Sequence, residues 1–207
     1  MSHSEKSPSL TQIISPDTQR VERLPPRQVL TRKWPVLHVG SVPAVNLDQW
    51  DLRWWGLLAQ PRQWSWAELR ALPQVSVRAD MHCVTRWSRL DMTWRGVATR
   101  ELVKHVELLP AAQFVLIHCE QNFTTNLPLA DFLDEDALFA WEADGEELTP
   151  DHGWPLRLVI PKLYAWKSAK WVRGVEFIEK DQPGYWERAG YHLRGDPWRE
   201  ERYGAWY

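Results

Sequence analysis

Apolar and polar positions alternate with a period of two over Asp51-Leu52-Arg53-Trp54-Trp55 and Val75-Ser76-Val77-Arg78-Ala79. Successive side chains of a strand point to opposite faces, so both segments read as half-buried strands. Phe114-Val115-Leu116-Ile117 and Leu156-Arg157-Leu158-Val159-Ile160 are nearly continuous apolar runs, the pattern of strands covered on both faces. Between the first pair, Ser65-Trp66-Ala67-Glu68 spells a capping box that opens a helix, which must end before Pro73. Residues 99–106 and 128–133 are expected as short helices. Asp144-Gly145, between residues 137–143 and 147–148, is a hairpin signal. Strands and helices do not alternate as in a doubly wound sheet, so the expected class is α+β, with strand-rich mixed sheets and short helices.

Residues 1–30 carry neither period and are broken by Pro8, Pro16 and the pair Pro25-Pro26. They are expected to form an extended lead-in. Apolar density rises from Trp34, which predicts one domain over residues 31–207.

A chain of 207 residues can bury roughly 70–75% of its unfolded surface. It therefore needs no metal or disulfide staple to fold. Lys plus Arg number 25 against 27 Asp plus Glu, a net charge of −2, and the pI is about 6.4. That balance lacks the basic excess of a nucleic-acid footprint and leaves small molecules or proteins as partners. No apolar run approaches the ~18–20 residues of a membrane span. Cys83 and Cys119 are too few for a secreted disulfide framework, and residues 1–6 lack the charged and apolar regions of a signal peptide. A cytoplasmic protein with reduced thiols is expected. The composition departs from the ordinary in one respect: fifteen Trp stand against five Phe and five Tyr.

Phosphate-binding glycine loops, a Gly-x-Ser-x-Gly elbow, His-Glu-x-x-His and paired Cys-x-x-Cys are all missing from the sequence, which removes the usual nucleotide, acyl-transfer and zinc sites. Two His-Cys pairs remain, His82-Cys83 and His118-Cys119. A zinc site built from both is one reading, although neighbours on a strand face opposite ways. Cys119 follows an apolar run and reads as a core thiol. Cys83 follows a strand and enters Thr85-Arg86-Trp87-Ser88-Arg89, where two arginines would stabilise a thiolate suited to be a nucleophile or a soft-metal ligand. A structural cysteine is the other reading.

Asp151-His152-Gly153-Trp154-Pro155-Leu156-Arg157 and Trp166-Lys167-Ser168-Ala169-Lys170-Trp171-Val172-Arg173 gather cations, a histidine and a hydroxyl beside aromatic rings. A flat heterocycle carrying a phosphate suits such a set, and a solvated strand edge is the bland alternative. Residues 131–151 hold nine Asp or Glu and no Lys or Arg. They form either a solvated surface or a docking face for a cationic protein.

With these motifs in this order, the sequence resembles the molybdopterin-binding domain of the sulfite oxidase family, in its short, haem-free prokaryotic form, from Arg32 to Tyr207. The resemblance implies the sulfite-oxidase-like molybdopterin-binding fold and a molybdenum–molybdopterin cofactor. It assigns Cys83 to the metal, and His152, Arg157, Lys167, Ser168, Ala169 and Lys170 to the cofactor. Arg32, Arg86 and Trp94 fall to the substrate pocket, with both arginines also meeting cofactor.

The chain departs from the sulfite oxidases at Phe123, where they carry a tyrosine beside the metal, and no dimerisation or haem domain is expected. The resemblance and this departure together imply an oxidoreductase that transfers an oxygen atom to or from a small sulfur or nitrogen oxide, with a sulfoxide or N-oxide reductase favoured and a sulfite-oxidase-like enzyme as the other reading. It would act as a monomer that exchanges electrons with a separate electron-transfer protein. A non-catalytic molybdopterin- or anion-binding module is the alternative. Trp94, Trp154, Trp166 and Trp171 are expected around the cofactor.

Overall fold

The computed structural model describes residues 10–204 of the chain. Residues 1–6, read above for a signal peptide, and the last three residues of the resemblance lie outside this range. The strands are β1 (Thr11–Ile14), β2 (Val29–Leu30), β3 (Asp51–Gly56), β4 (Arg62–Ser65), β5 (Val75–His82), β6 (Trp87–Ala98), β7 (Phe114–Cys119), β8 (Thr124–Pro128), β9 (Leu138–Ala143), β10 (Glu146–Glu147), β11 (Arg157–Val159) and β12 (Val172–Ile178). Short helices α1 (Trp66–Ala71), α2 (Thr99–Val103), α3 (Leu129–Phe132) and α4 (Tyr185–Arg188) connect them.

Two mixed sheets result, the strand-rich α+β architecture expected. One runs β1-β5-β6-β9-β10, with β11 added on β9 and β2 on β6; the other runs β4-β3-β12-β7-β8. Pairs β1/β5, β2/β6 and β3/β12 are parallel. The sheets share a core in which Trp54, Phe132, Phe139 and Phe177 meet at tilted or edge-on angles, with ring centroids 5.3–6.4 Å apart. Each such ring contributes roughly 2–3 kcal/mol by leaving water. Strand β9 sends Phe139 and Trp141 into this core and Leu138 and Ala140 into a second cluster with Val77, Met92 and Trp94. Covered on both faces, it reads as a continuous apolar run rather than an alternating one.

Local signals behave as chemistry demands. Ser65 Oγ accepts from Glu68 N–H at 3.3 Å, and Glu68 Oε2 accepts from Ser65 N–H at 2.8 Å, completing the capping box. Asp144 and Gly145 both adopt positive φ, 53° and 85°, as a two-residue hairpin turn with the strands' twist requires.

Three expectations need correction. Residues 10–30 are not an extended lead-in: β1 pairs in register with β5 from Thr11↔Val75 to Ile14↔Arg78. Ser15, Asp17 and Thr18 are buried, and Arg23 bridges Asp80 and Asp91 at 2.5 and 2.9 Å. The helix expected over residues 99–106 stops at Val103. The two His-Cys pairs lie in different sheets, and no cluster of three or more His, Cys, Asp or Glu able to hold a metal ion occurs among the described residues. Cys119 sits in the main core, where burial pushes its thiol far up. A zinc site from both pairs is thereby removed.

The acidic stretch is not a bare docking face either. Asp131 pairs with Lys162 and Arg194 at 2.8 and 2.9 Å, and Asp134 also pairs with Lys162. Glu135, Glu142 and Asp144 meet Arg100, Arg95 and Arg89, and Asp136 is buried. Cations from elsewhere in the sequence thus pair with five of the nine carboxylates, while Glu146, Glu147 and Asp151 stay exposed. Among the described residues, no helix is long and apolar enough to cross a membrane.

Candidate active site

A cavity of about 310 Å³ opens where the β5–β6 turn, the start of β11 and the segment before β12 converge. Cys83 begins that turn: its carbonyl accepts from Arg86 N–H and its N–H donates to Trp87 O, both at 2.9 Å. The chain doubles back there, so the thiol is delivered to the cavity wall while the neighbouring His82 side chain turns to Ser88 Oγ at 2.8 Å. Thr85 Oγ1 donates to Cys83 Sγ at 3.1 Å. Burial pushes the Cys83 thiol up, against the hydrogen bonds of Thr85 and the charges of Arg157 and Arg202 that pull it down. The arginines expected to stabilise a thiolate do not: Arg86 is exposed at a positive φ of 74°, and Arg89 pairs with Asp144 at 2.5 Å.

The two cofactor-like segments fold against each other. Leu158 N–H donates to Ala169 O at 2.9 Å, Val172 N–H to Leu156 O at 3.0 Å, and Ile160 N–H to Ser168 Oγ at 3.0 Å. Trp171 Nε1–H donates to Pro150 O at 2.8 Å, and Lys170 Nζ donates to Asp151 O at 2.7 Å. Gly153, at φ 112°, makes this approach possible, because a Cβ there would stand 3.1 Å from the Lys170 side chain. Since a carbonyl only accepts, the 3.3 Å contact of His152 Nε2 with Trp34 O assigns the proton to Nε2, leaving Nδ1 to accept from Thr149 Oγ1 at 3.0 Å. The His152 ring stacks on Trp34 with centroids 3.8 Å apart. Burial lowers its pKa.

Arg157 decides what the cavity fits. Its side chain is buried, Nη1 donates to His152 O at 3.0 Å, and Nε is buried with no partner. Desolvation pulls its pKa down to about 10. Lys170 is pulled to about 7, first by desolvation and then by Arg157. Two basic side chains thus share a cavity whose lining, among the described residues, holds no carboxylate, beside a thiol and aromatic walls. Such an arrangement is costly unless an anion completes it. A flat, phosphate-bearing, thiolate-ligated metal cofactor fits this donor set.

Cys83, His152, Arg157, Ser168, Ala169 and Lys170 are brought together in the lining. Four other expected residues are not. Arg32 and Arg86 are exposed and outside the lining. Trp94 is fully buried and stands edge-on behind Trp34 at 5.3 Å, so it backs the wall rather than forming it. Lys167 points away from the cavity: its three N–H donors are surrounded by four acceptors, Asn126 O and Oδ1, both 2.8 Å from Nζ, and Glu187 Oε1 and Leu193 O, both at 2.6 Å. Glu187 Oε1 also accepts from Trp166 Nε1 at 2.8 Å and Thr125 Oγ1 at 2.9 Å, which ties α4 to the cavity wall. Of the tryptophans expected at the site, Trp166 and Trp171 line it and Trp154 does not; Trp34, Trp87 and Trp186 take part instead, with Phe123 and Tyr191. Their motif signal was slight, because chain reversal and the tail bring them in from far in sequence.

Comparison with known proteins agrees with this geometry. A family model described as "Oxidoreductase molybdopterin binding domain" matches residues 39–186. The chain is 47% identical to an uncharacterized oxidoreductase, YuiH, of Bacillus subtilis, over 87% of this chain and 92% of that one. It is 28% identical to the putative protein-methionine-sulfoxide reductase subunit YedZ1 of Azospira oryzae, over 86% and 69%. Identity to the sulfite oxidase of Arabidopsis thaliana is 25%, over 74% of this chain and 48% of that one. The sulfane dehydrogenase SoxCD of Paracoccus pantotrophus shares the fold, with a TM-score of 0.63 at 20% identity over 72% of this chain and 42% of that one.

Proposed function

The chain belongs to the family of molybdopterin-binding oxidoreductases that includes sulfite oxidase, and we propose that within it the protein reduces a neutral sulfoxide or N-oxide. Its cofactor is molybdopterin with molybdenum. When bound, the cofactor supplies two-electron oxygen-atom chemistry at its metal. The chain's own residues hold and shield it. In this reading Cys83 ligates the metal through its thiolate, and Thr85 donates to that sulfur. Arg157, Lys170 and His152 hold the pterin and its phosphate, assisted by the Ser168–Ala169 backbone. Phe123 and Trp186 keep water from the reacting side.

One observation carries the choice of substrate. Arg32 and Arg86, the arginines expected to meet an anion, are exposed and outside the cavity, while Arg157 and Lys170 are committed to the cofactor. Sulfite would enter an aromatic wall without a cation of its own. A neutral oxide loses less on leaving water. The balance is oxide plus two electrons and two protons giving the reduced compound and water, the electrons arriving from a separate protein carrier.

The test is a metal assay of the purified protein followed by dye-linked turnover of sulfoxides, N-oxides and sulfite. Stoichiometric molybdenum with turnover of the neutral oxides supports the reading. Turnover of sulfite alone overturns it, and metal without turnover of any substrate points to a non-catalytic module.

A further inference from the structure

Three residues of the described cavity's lining carry a hydroxyl, Thr85, Ser168 and Tyr191. Thr85 gives its proton to Cys83 Sγ, and Ser168 Oγ is held by Ile160 N–H. Tyr191 differs in being fixed through its ring. The ring stacks on Trp186 with centroids 5.0 Å apart and planes at 20°, meets Trp166 edge-on at 5.1 Å, and meets Tyr203 edge-on at 5.5 Å. Its backbone N–H donates to Trp186 O at 3.0 Å, so the tail bends to bring the ring back over α4. Tyr191 and Trp186 pack against the buried cluster that contains Cys83 and Trp166. A phenol on so stiff a mount lets its O–H point without losing further side-chain freedom.

The other polar donors of the cavity belong to residues that the reading above commits to the cofactor. His152 Nε2 faces Trp34 O, Arg157 Nη1 faces His152 O, and Lys170 Nζ faces Asp151 O. His38 stands exposed, with Nδ1 at 3.1 Å from Gly40 O. Phe123, in the same wall, offers no hydroxyl. A sulfoxide or N-oxide concentrates its negative partial charge on one oxygen, and in an aromatic cavity that oxygen needs a donor.

We propose that the Tyr191 hydroxyl donates the hydrogen bond that holds the substrate's oxygen in the cavity beside Cys83. Tyr191 is thereby a substrate-binding residue supplied by the tail segment that follows α4. The assignment rests on the neutral-oxide reading above.

The experiment uses the molybdenum-loaded protein and its Tyr191→Phe variant. Dimethyl sulfoxide and trimethylamine N-oxide serve as substrates, and dimethyl sulfone, a neutral probe that is harder to reduce, is titrated against the visible spectrum to give a Kd. Tyr191→Phe is expected to weaken dimethyl sulfone binding about tenfold and to lower kcat/KM for both oxides by a similar factor. Molybdenum content and thermal midpoint should stay at wild-type values. Unchanged Kd and kcat/KM in the variant overturn the role of Tyr191 and leave the neutral-oxide reading standing. Loss of molybdenum from the variant also overturns it, because the phenol would then hold the pocket together. A wild-type protein that neither binds the sulfone nor reduces either oxide overturns both readings at once.

Discussion

Lys167 Nζ lies 2.6 Å from Glu187 Oε1 with both side chains wholly shielded from solvent. The ammonium that the family resemblance assigns to the cofactor therefore fastens the tail to the domain. Removing one partner of a buried pair strands the other charge, which costs about 3–5 kcal/mol. Lys167→Met and Glu187→Gln should each lower the denaturant-unfolding free energy of the cofactor-free protein by that amount, while Lys167→Met combined with Glu187→Met recovers much of it. A Lys167→Met protein with wild-type stability but no bound cofactor would return Lys167 to the cofactor.

Arg157 should behave in the opposite way. Its buried guanidinium has no carboxylate partner in the cavity, so it burdens the cofactor-free fold and is useful only when an anion arrives. An unpaired buried charge carries a desolvation cost that an apolar side chain of similar length does not. Arg157→Met is expected to leave the cofactor-free protein at least as stable as wild type by urea unfolding, and to carry little cofactor after expression in cells that make it. A destabilised variant that retains full cofactor contradicts this assignment.

Lys170 supplies a pH signature. In the cofactor-free protein, desolvation and Arg157 bring its pKa from the ordinary value of 10.5 to about 7. An anion in the cavity favours the charged form, so binding takes up a proton wherever the free protein holds Lys170 neutral. Affinity for inorganic pyrophosphate should then be full below about pH 7 and decline as pH rises above it. Lys170→Met should bind less tightly and lose that decline. Isothermal titration in two buffers of different ionisation enthalpy reads both effects.

What could be read from the sequence was what is local. Ser65 and Glu68 specify a helix start within four residues, and Asp144-Gly145 specifies a hairpin within two. That Cys83, His152, Arg157, Ser168, Ala169 and Lys170 would share one cavity was legible because their motifs also set the local backbone that presents them. Strand β1 was not, since Thr11-Gln12-Ile13-Ile14 barely alternates and owes its place to parallel pairing with β5. Strand β6 carries a clear alternation over Met92-Thr93-Trp94-Arg95 that the expected strands did not use. Arg32 and Arg86 have the right residue type near the right motifs, but side-chain direction depends on turn geometry, and the positive φ of Arg86 carries no sequence mark in a non-glycine residue. Lys167 was misplaced because its partners, Asn126, Glu187 and Leu193, lie 20–41 positions away. Of the fifteen tryptophans, Trp54, Trp64, Trp94 and Trp141 are fully buried core, and those of the cavity wall converge from separate parts of the chain.

Everything proposed for the cavity depends on Cys83 holding molybdenum there, and Cys83→Ser is the variant that decides it. Wild type and variant are expressed in cells that make the cofactor, and molybdenum content and visible absorption are compared at equal protein concentration. The predicted result is a variant that has lost the absorption of the thiolate–metal bond, with less molybdenum retained. A Cys83→Ser protein with wild-type molybdenum and an unchanged visible spectrum would contradict it.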